Sequence, residues 1–277
     1  MARKISCNRL LNSLKDGELK GAMQYVAENK NGLSLQIRKD YLNIYYRGGN
    51  ILKISGINSF HFDENYFYKD KSGDRVKKKK ELVDIFREKK FEKYFEKAKK
   101  VIDDWLEKYP KPEREEQHNL IMKNNDKNSD FVIIDIEFAV SRKAKYKYDG
   151  KQPRFDIIAI RKSDSMLCII ELKKGIKALG GNSGIKGHFD DFNNSIGENP
   201  LPFIDEVREL LQQKQDFGLL DFQLKISEEC KKPIFMFAFS YQTDNERQTF
   251  DNCKNEVCEA LKTLYLPNGE LILKEPI

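Results

Sequence analysis

The sequence predicts a mixed α/β protein with an N-terminal antiparallel β-meander, a helical connector, and a larger domain built on a mixed sheet. Alternating apolar runs come in quick succession before residue 68, and apolar residues then recur at helical spacing over residues 69–128. Short apolar strands and helical segments share the rest of the 277 residues, which is enough chain for more than one core. The predicted domains are residues 1–68, 69–111 and 112–277.

The first domain is expected to be a meander that follows one helix. The runs Leu33–Arg38, Tyr41–Tyr46 and Asn50–Ser55 alternate in polarity, and Gly48-Gly49 is a suitable hairpin turn between the last two. Residues 59–68 are a candidate fourth strand. Aromatic side chains on such strands can stack on nucleic-acid bases or pack in the core, and core packing is favoured because strand aromatics most often pack.

The helical connector is predicted from apolar residues at spacings of three and four, which end at Pro110 and Pro112. A further helix is expected to begin near Pro112. The block Lys77–Lys80 could contact phosphates, although a solvated helix entry is the favoured interpretation.

The third domain is predicted to contain three strands joined by connections short enough for antiparallel pairing, followed by a glycine-rich loop and alternating helices and strands. The three strands are 131–140, Arg154–Ile160 and Met166–Lys174. The later elements are a loop over 175–187, helices near 188–197 and Phe203–Gln215, a strand at Pro233–Tyr241, a helix near Glu246–Leu264 and a terminal strand over 270–276.

Composition narrows the class of protein. The net charge of +6 suits a polyanionic partner, but 50 basic against 44 acidic residues is a mild imbalance that decides little. The five cysteines have neither zinc-site nor disulfide-framework spacing, and the chain opens without a signal-like apolar segment, so a cytoplasmic protein is expected. No apolar run approaches the ~18 residues of a membrane span. P-loop and Rossmann patterns are lacking too, which disfavours nucleotide hydrolysis.

The pattern that indicates chemistry is Asp156 on one apolar strand and Glu171-Leu172-Lys173 on the next. Glu171 and Lys173 are two apart and therefore project on the same face of the strand. Two carboxylates on neighbouring strands can share a magnesium ion, and a lysine beside them can hold the attacking water or stabilise charge on a phosphate. A plain interstrand salt bridge between Asp156 and Lys173 is the alternative. The expense of burying charges among isoleucines favours a functional site.

The segments "PRFDIIAI" and "LCIIELKKG", with their strand order and a helix before and after, resemble the PD-(D/E)XK nuclease superfamily and its restriction-endonuclease-like fold. The resemblance covers residues 112 to 241, and it departs from the motif because Pro153 is three residues before Asp156. It implies that Asp156 and Glu171 bind Mg2+, for which Mn2+ can substitute, and that Lys173 assists the water. It further implies an endonuclease acting on nucleic acid, with DNA favoured over RNA, and a role in bacterial restriction or anti-phage defence. Because such enzymes often dimerise, it also allows a homo-oligomer or a protein partner.

Other acidic residues could assist Asp156, Glu171 and Lys173, but each has an alternative interpretation. Glu137, on the strand that should pair with the one bearing Asp156, is predicted as a third metal carboxylate or as a partner of Lys173, and an outward charge on an edge strand fits equally well. The resemblance also implies a glutamate on the preceding helix, for which Glu113 or Glu116, with Gln117, is available.

The glycine-rich loop brings further candidates. His188 could contact a phosphate, but a surface or capping histidine is favoured. Lys174, Lys177 and Lys186 would form a basic rim able to grip backbone phosphates. The alternative function is a catalytically inactive module of the same fold that binds nucleic acid or a protein partner.

Overall fold

The computed structural model describes residues 3–66, 74–125, 128–140, 153–181 and 183–275. Over these ranges the chain has a four-stranded antiparallel sheet, a five-stranded mixed sheet and eight α-helices. The predicted mixed α/β class and the N-terminal meander are therefore confirmed. No helix within the described ranges has both the length and the apolar character needed to cross a membrane.

The chain forms two compact units. The first takes the residues up to Met122 together with Glu209–Phe222, and the second takes Lys123–Arg208 and the chain from Gln223 onward. The three domains predicted from the sequence stay a prediction.

The first unit is built around the meander. Its elements are α1 (Asn8–Lys15), α2 (Lys20–Glu28), β1 (Ser34–Arg38), β2 (Tyr41–Tyr46), β3 (Gly49–Gly56), β4 (Ser59–His61) and a 3-10 turn at Glu64–Tyr66. The turn between β2 and β3 is Arg47-Gly48, not Gly48-Gly49 as predicted. Arg47 and Gly48 both have positive φ, as the two central residues of a type I′ hairpin turn must. β4 is shorter than predicted, and Phe67 and Tyr68 lie outside the described residues.

Helices complete this unit. They are α3 (Asp74–Arg87), α4 (Phe91–Lys108) and α5 (Pro112–Asn124), the last beginning where the prolines predict. The apolar stripe of α4 is buried, and the Tyr94 hydroxyl donates a hydrogen bond to the Ile51 carbonyl of β3 at 2.5 Å. The segment predicted as a connector therefore packs its apolar face against the meander.

The second unit is organised by the mixed sheet. Its elements are β5 (Phe131–Ala139), β6 (Arg154–Arg161), β7 (Leu167–Lys174), α6 (Ile185–Phe192) with a π-helical turn at Asn193–Gly197, β8 (Ile234–Tyr241), α8 (Asp244–Val257) and β9 (Lys262–Pro267). The helix α7 (Leu201–Asp216) is divided between the two units after Arg208. The strand order is β5-β6-β7-β8-β9, with antiparallel pairing as far as β7 and parallel pairing from β7 to β9. β7 and β8 are central and almost entirely buried, which explains their continuous apolar runs.

The end of the chain differs from the prediction. α8 stops at Val257, and the last strand is β9, not residues 270–276. β9 pairs with β8 and buries Leu264 and Leu266, whereas Asn268 and Gly269 turn the chain out of the sheet with positive φ. Leu273, inside the predicted strand, is instead bound by the side chain of Asn124 at 2.7 Å.

Candidate active site

Asp156 and Glu171 lie where the pairing of β6 and β7 stops. The last paired residues are Ile157 and Ile170, so the two acids come one position beyond the ladder on adjacent strands. Each carboxylate takes a backbone N–H of the opposite strand: Glu171 Oε1 accepts from Asp156 at 3.3 Å, and Asp156 Oδ2 accepts from Leu172 at 2.9 Å. The two side chains thus replace the missing ladder bonds, and the sequence prediction that they meet on neighbouring strands agrees with this geometry.

Burial sets the electrostatics of this pair. Glu171 is 0% exposed, and Asp156 is half-buried. Burial raises the pKa of Asp156 to about 7, and the neighbouring charge of Glu171 adds to that rise. Burial likewise raises the pKa of Glu171 to about 7, although the charge of Lys173 opposes the change. Because the two carboxyls are coupled, they are best regarded as one acid pair that holds a proton more tightly than an exposed carboxyl does.

Lys173 belongs to the same cluster. It follows Glu171 by two residues on β7, so both project from one face, and only 6% of Lys173 is exposed. Burial lowers the pKa of Lys173, while the charges of Glu171 and Asp156 raise it. The cluster therefore places one ammonium among two carboxyls in a desolvated position, as the sequence pattern predicts.

Glu137 has a different neighbour. Its backbone adopts a φ of +52°, and its carboxylate pairs with Arg154 at 2.9 Å, with 64% of the arginine side chain exposed. A third carboxylate at a metal would need to leave this partner or share it. The metal role of Glu137 stays a prediction.

The remaining sequence candidates lie on α5 and on the segment from the end of β7 to α6. Glu116 and Gln117 are half-buried on α5, within the first unit, and the side chain of Glu113 lies outside the described residues. In the proposed basic rim, Lys174 and Lys177 are exposed, and Lys186 binds Asp190 at 2.6 Å.

The aromatic and lysine features of the first unit follow the favoured interpretations. Phe62 and Tyr66 are buried, and the rings of Phe60 and Phe86 pack with centroids 4.7 Å apart. Lys77, Lys78 and Lys80 are exposed on α3.

Two site residues on α6 were underestimated or missed by the sequence reasoning. His188, for which a surface position was favoured, is buried to 17% side-chain exposure, and its Nδ1 lies 3.0 Å from Glu171 Oε2. Burial lowers the pKa of His188, and the charge of Asp191, one turn later, opposes that change. The same charge adds to the rise that burial causes in the pKa of Glu171. The signal available in the sequence was the spacing of three between His188 and Asp191, which puts both side chains on one helix face.

The donor set suits a hard divalent cation only in part. No group of three or more His, Cys, Asp and Glu side chains in the described part of the chain is arranged to hold a metal ion. Two carboxylates nevertheless suffice for Mg2+, which usually keeps several waters and takes few protein ligands. Glu171 Oε2 is buried without an aligned hydrogen-bond partner among the described residues. A carboxylate oxygen has two lone pairs, so Oε2 keeps one for a cation even with His188 Nδ1 3.0 Å away. Asp156 and Glu171 therefore fit such an ion, and the acid pair provides a buried, negatively charged binding site.

Comparisons with protein-family models, with curated proteins and with solved structures gave no match for this chain.

Proposed function

We propose that the protein is a metal-dependent nuclease that hydrolyses phosphodiester bonds in nucleic acid, with DNA favoured over RNA. The observation that carries the proposal is the coupled pair of Asp156 and Glu171 with Lys173 on the same face. Three ionisable groups in one desolvated position are expensive to maintain, and pKa values perturbed in this way are typical of functional sites.

The parts of the site have distinct chemical capacities. Asp156 and Glu171 would hold Mg2+ or Mn2+ through carboxylate oxygens. When bound, the cation would supply charge neutralisation at the phosphate and a more acidic water. Lys173 would orient that water or stabilise the negative charge that develops on the phosphate oxygens, and its burial strengthens either interaction because water does not screen it.

The fold supports the proposal at a general level. A helix, three antiparallel strands, a helical crossover and a parallel strand follow one another from α5 to β8, which is the order expected of a restriction-endonuclease-like core. The cytoplasmic role in restriction or anti-phage defence, and a dimeric or partner-bound form, belong to the proposal through the family resemblance alone.

Two observations favour the competing function, an inactive module that binds nucleic acid or a protein. The described residues hold no three-donor metal group, and Glu137 pairs with Arg154. A protein of this kind would bind its partner without cutting, and it would do so equally well with or without a divalent cation.

The deciding experiment is cleavage of end-labelled double-stranded DNA, single-stranded DNA and RNA in Mg2+, Mn2+ or EDTA. Lys173→Met keeps most of the side-chain volume and removes the charge, and Lys262→Met is a matched change at an exposed residue of β9. We expect metal-dependent cutting by the wild type and by Lys262→Met, with at least about a 100-fold loss in Lys173→Met. If the protein binds any of these substrates without cutting it, and EDTA does not change the binding, the nuclease proposal is rejected in favour of the inactive module.

A further inference from the structure

His188 and Glu171 form a close contact that the proposed chemistry leaves unexplained. Nδ1 and Oε2 are 3.0 Å apart, which is a hydrogen-bond separation, and both atoms are buried. Neither atom has an aligned hydrogen-bond partner within the described ranges, so the contact is short but its direction is imperfect. A buried polar atom without a partner is costly, and a hydrogen bond between Nδ1 and Oε2 would satisfy both atoms at once.

The helix that carries His188 is firmly placed beside the acid pair. The loop before α6 closes tightly at Gly184, where an added Cβ would lie 2.4 Å from the Leu179 carbonyl oxygen. The Ile185 N–H then donates to that same carbonyl at 3.1 Å. α6 is therefore fixed at its start, and His188 presents Nδ1 to Glu171.

The two carboxylate oxygens of Glu171 face different elements. Oε1 accepts the Asp156 N–H from β6, and Oε2 faces His188 on α6. The carboxylate therefore lies between the strand that binds one oxygen and the helix that presents the imidazole to the other. Since Asp156 is also anchored, by the Leu172 N–H, the relative placement of the two acids depends on contacts outside the acids themselves.

We infer that His188 is a positioning residue that fixes the Glu171 carboxylate for binding a divalent cation, with Nδ1–H donating to Oε2. The inference rests on the proposed function and adds to it a residue whose action is indirect. Outer partners of metal-binding carboxylates orient the ligand, and their removal typically lowers metal affinity by about 10–100-fold. A purely space-filling histidine would have no such effect when replaced by a side chain of similar bulk.

The test separates a hydrogen-bonding role from packing. His188→Leu fills space without a donor, while His188→Asn keeps an N–H donor near the place of Nδ1. His61→Leu, at an exposed residue of β4, controls for loss of a histidine elsewhere. Mn2+ affinity is measured by calorimetry on each full-length variant without nucleic acid, after circular dichroism has confirmed the fold. Pulsed EPR of bound Mn2+ then reports whether a histidine nitrogen is coordinated.

We expect His188→Leu to bind Mn2+ about 10–100-fold more weakly, with His188→Asn within about threefold of the wild type and no nitrogen modulation from His188. Equal affinity in the wild type and His188→Leu would overturn the positioning role and leave the nuclease proposal standing. A nitrogen signal lost in His188→Leu would also overturn it, because His188 would then be a ligand. If the wild type binds Mn2+ no better than Asp156→Asn does, both the proposed function and this inference are overturned.

Discussion

Asp156 and Glu171 each bind the backbone of the other's strand, Glu171 through the N–H of Asp156 and Asp156 through the N–H of Leu172. This reciprocal arrangement closes the end of the β6–β7 ladder with two acids instead of two peptide groups. The stability of the sheet therefore depends on the protonation of the site, because the carboxylate oxygens that accept these backbone hydrogen bonds are also the atoms that take up a proton.

The free energy of unfolding should fall with rising pH through the titration of this pair. Both folded pKa values are raised, so the folded protein binds more protons than the unfolded chain. The contribution is fully present below the ordinary values of 3.8 and 4.5 and is lost as the pH rises through about 7. Urea unfolding in EDTA measures the free energy of unfolding of the wild type and of Glu171→Gln at each pH. The difference between them should shift in favour of Glu171→Gln as the pH rises through this window, by at most about 1.4 kcal/mol per pH unit. A difference that does not change with pH would contradict the assigned shifts.

Divalent cations should stabilise the protein most at alkaline pH. The cation must replace the proton held by the pair, so its apparent affinity rises as that proton is lost. At a concentration about 100 times the dissociation constant, the gain is about 2.7 kcal/mol. Thermal unfolding with Mn2+ at about pH 8 should give a clear upward shift that shrinks near pH 5.5. Asp156→Asn should show little shift at either pH, and an equal shift in that variant would place the cation elsewhere.

Glu137→Gln decides between the two roles of that residue. In the structure its carboxylate pairs with a largely exposed arginine, and such pairs contribute about 0–1 kcal/mol. We expect cleavage activity within about threefold of the wild type and a stability change below about 1 kcal/mol. A loss of activity comparable to that of Lys173→Met, without loss of fold, would instead make Glu137 the third carboxylate of the site.

Gly184→Ala should destabilise the second unit. The new Cβ would lie 2.4 Å from the Leu179 carbonyl oxygen and 2.7 Å from the Gly180 carbonyl carbon, so backbone must move. Overpacking of this kind costs about 1–3 kcal/mol, measured by urea unfolding. Gly180→Ala is the matched control in the same loop, because its Cβ would meet nothing within 4 Å. Equal stability of the two variants would show that the loop relaxes freely.

Much of this fold could be predicted from the sequence because its elements have strong local signals. The period-2 runs of β1 to β3 and the apolar runs of β5 to β8 lie close to their predicted bounds. Prediction failed where tertiary contact outweighs propensity. Residues 270–276 have a strand-like pattern, yet β9 takes the edge position beside β8, and Leu273 is held by hydrogen bonds to Asn124, Ser129 and Asp130.

The same division holds for the site. Asp156, Glu171 and Lys173 could be found because strand periodicity and hairpin connection bring them together locally. His188 could not be assigned with equal force, because it contacts Glu171 from a separate helix, α6, and the sequence does not show how that helix packs against β7. Helix spacing shows which residues share a face, but it does not show what that face covers.

The sequence separation of these contacts bears on the order in which the site is assembled. Asp156 and Glu171 meet across one short turn, a contact with little loop-closure entropy that can form early. The neighbours that bury Glu171 come later in the chain: α6 brings His188, and β8 places Phe237 beside it. A nascent hairpin therefore carries two ordinary, solvated acids. Their raised pKa values are acquired only when the rest of the chain packs around them, so an incompletely folded molecule lacks the buried site for a cation.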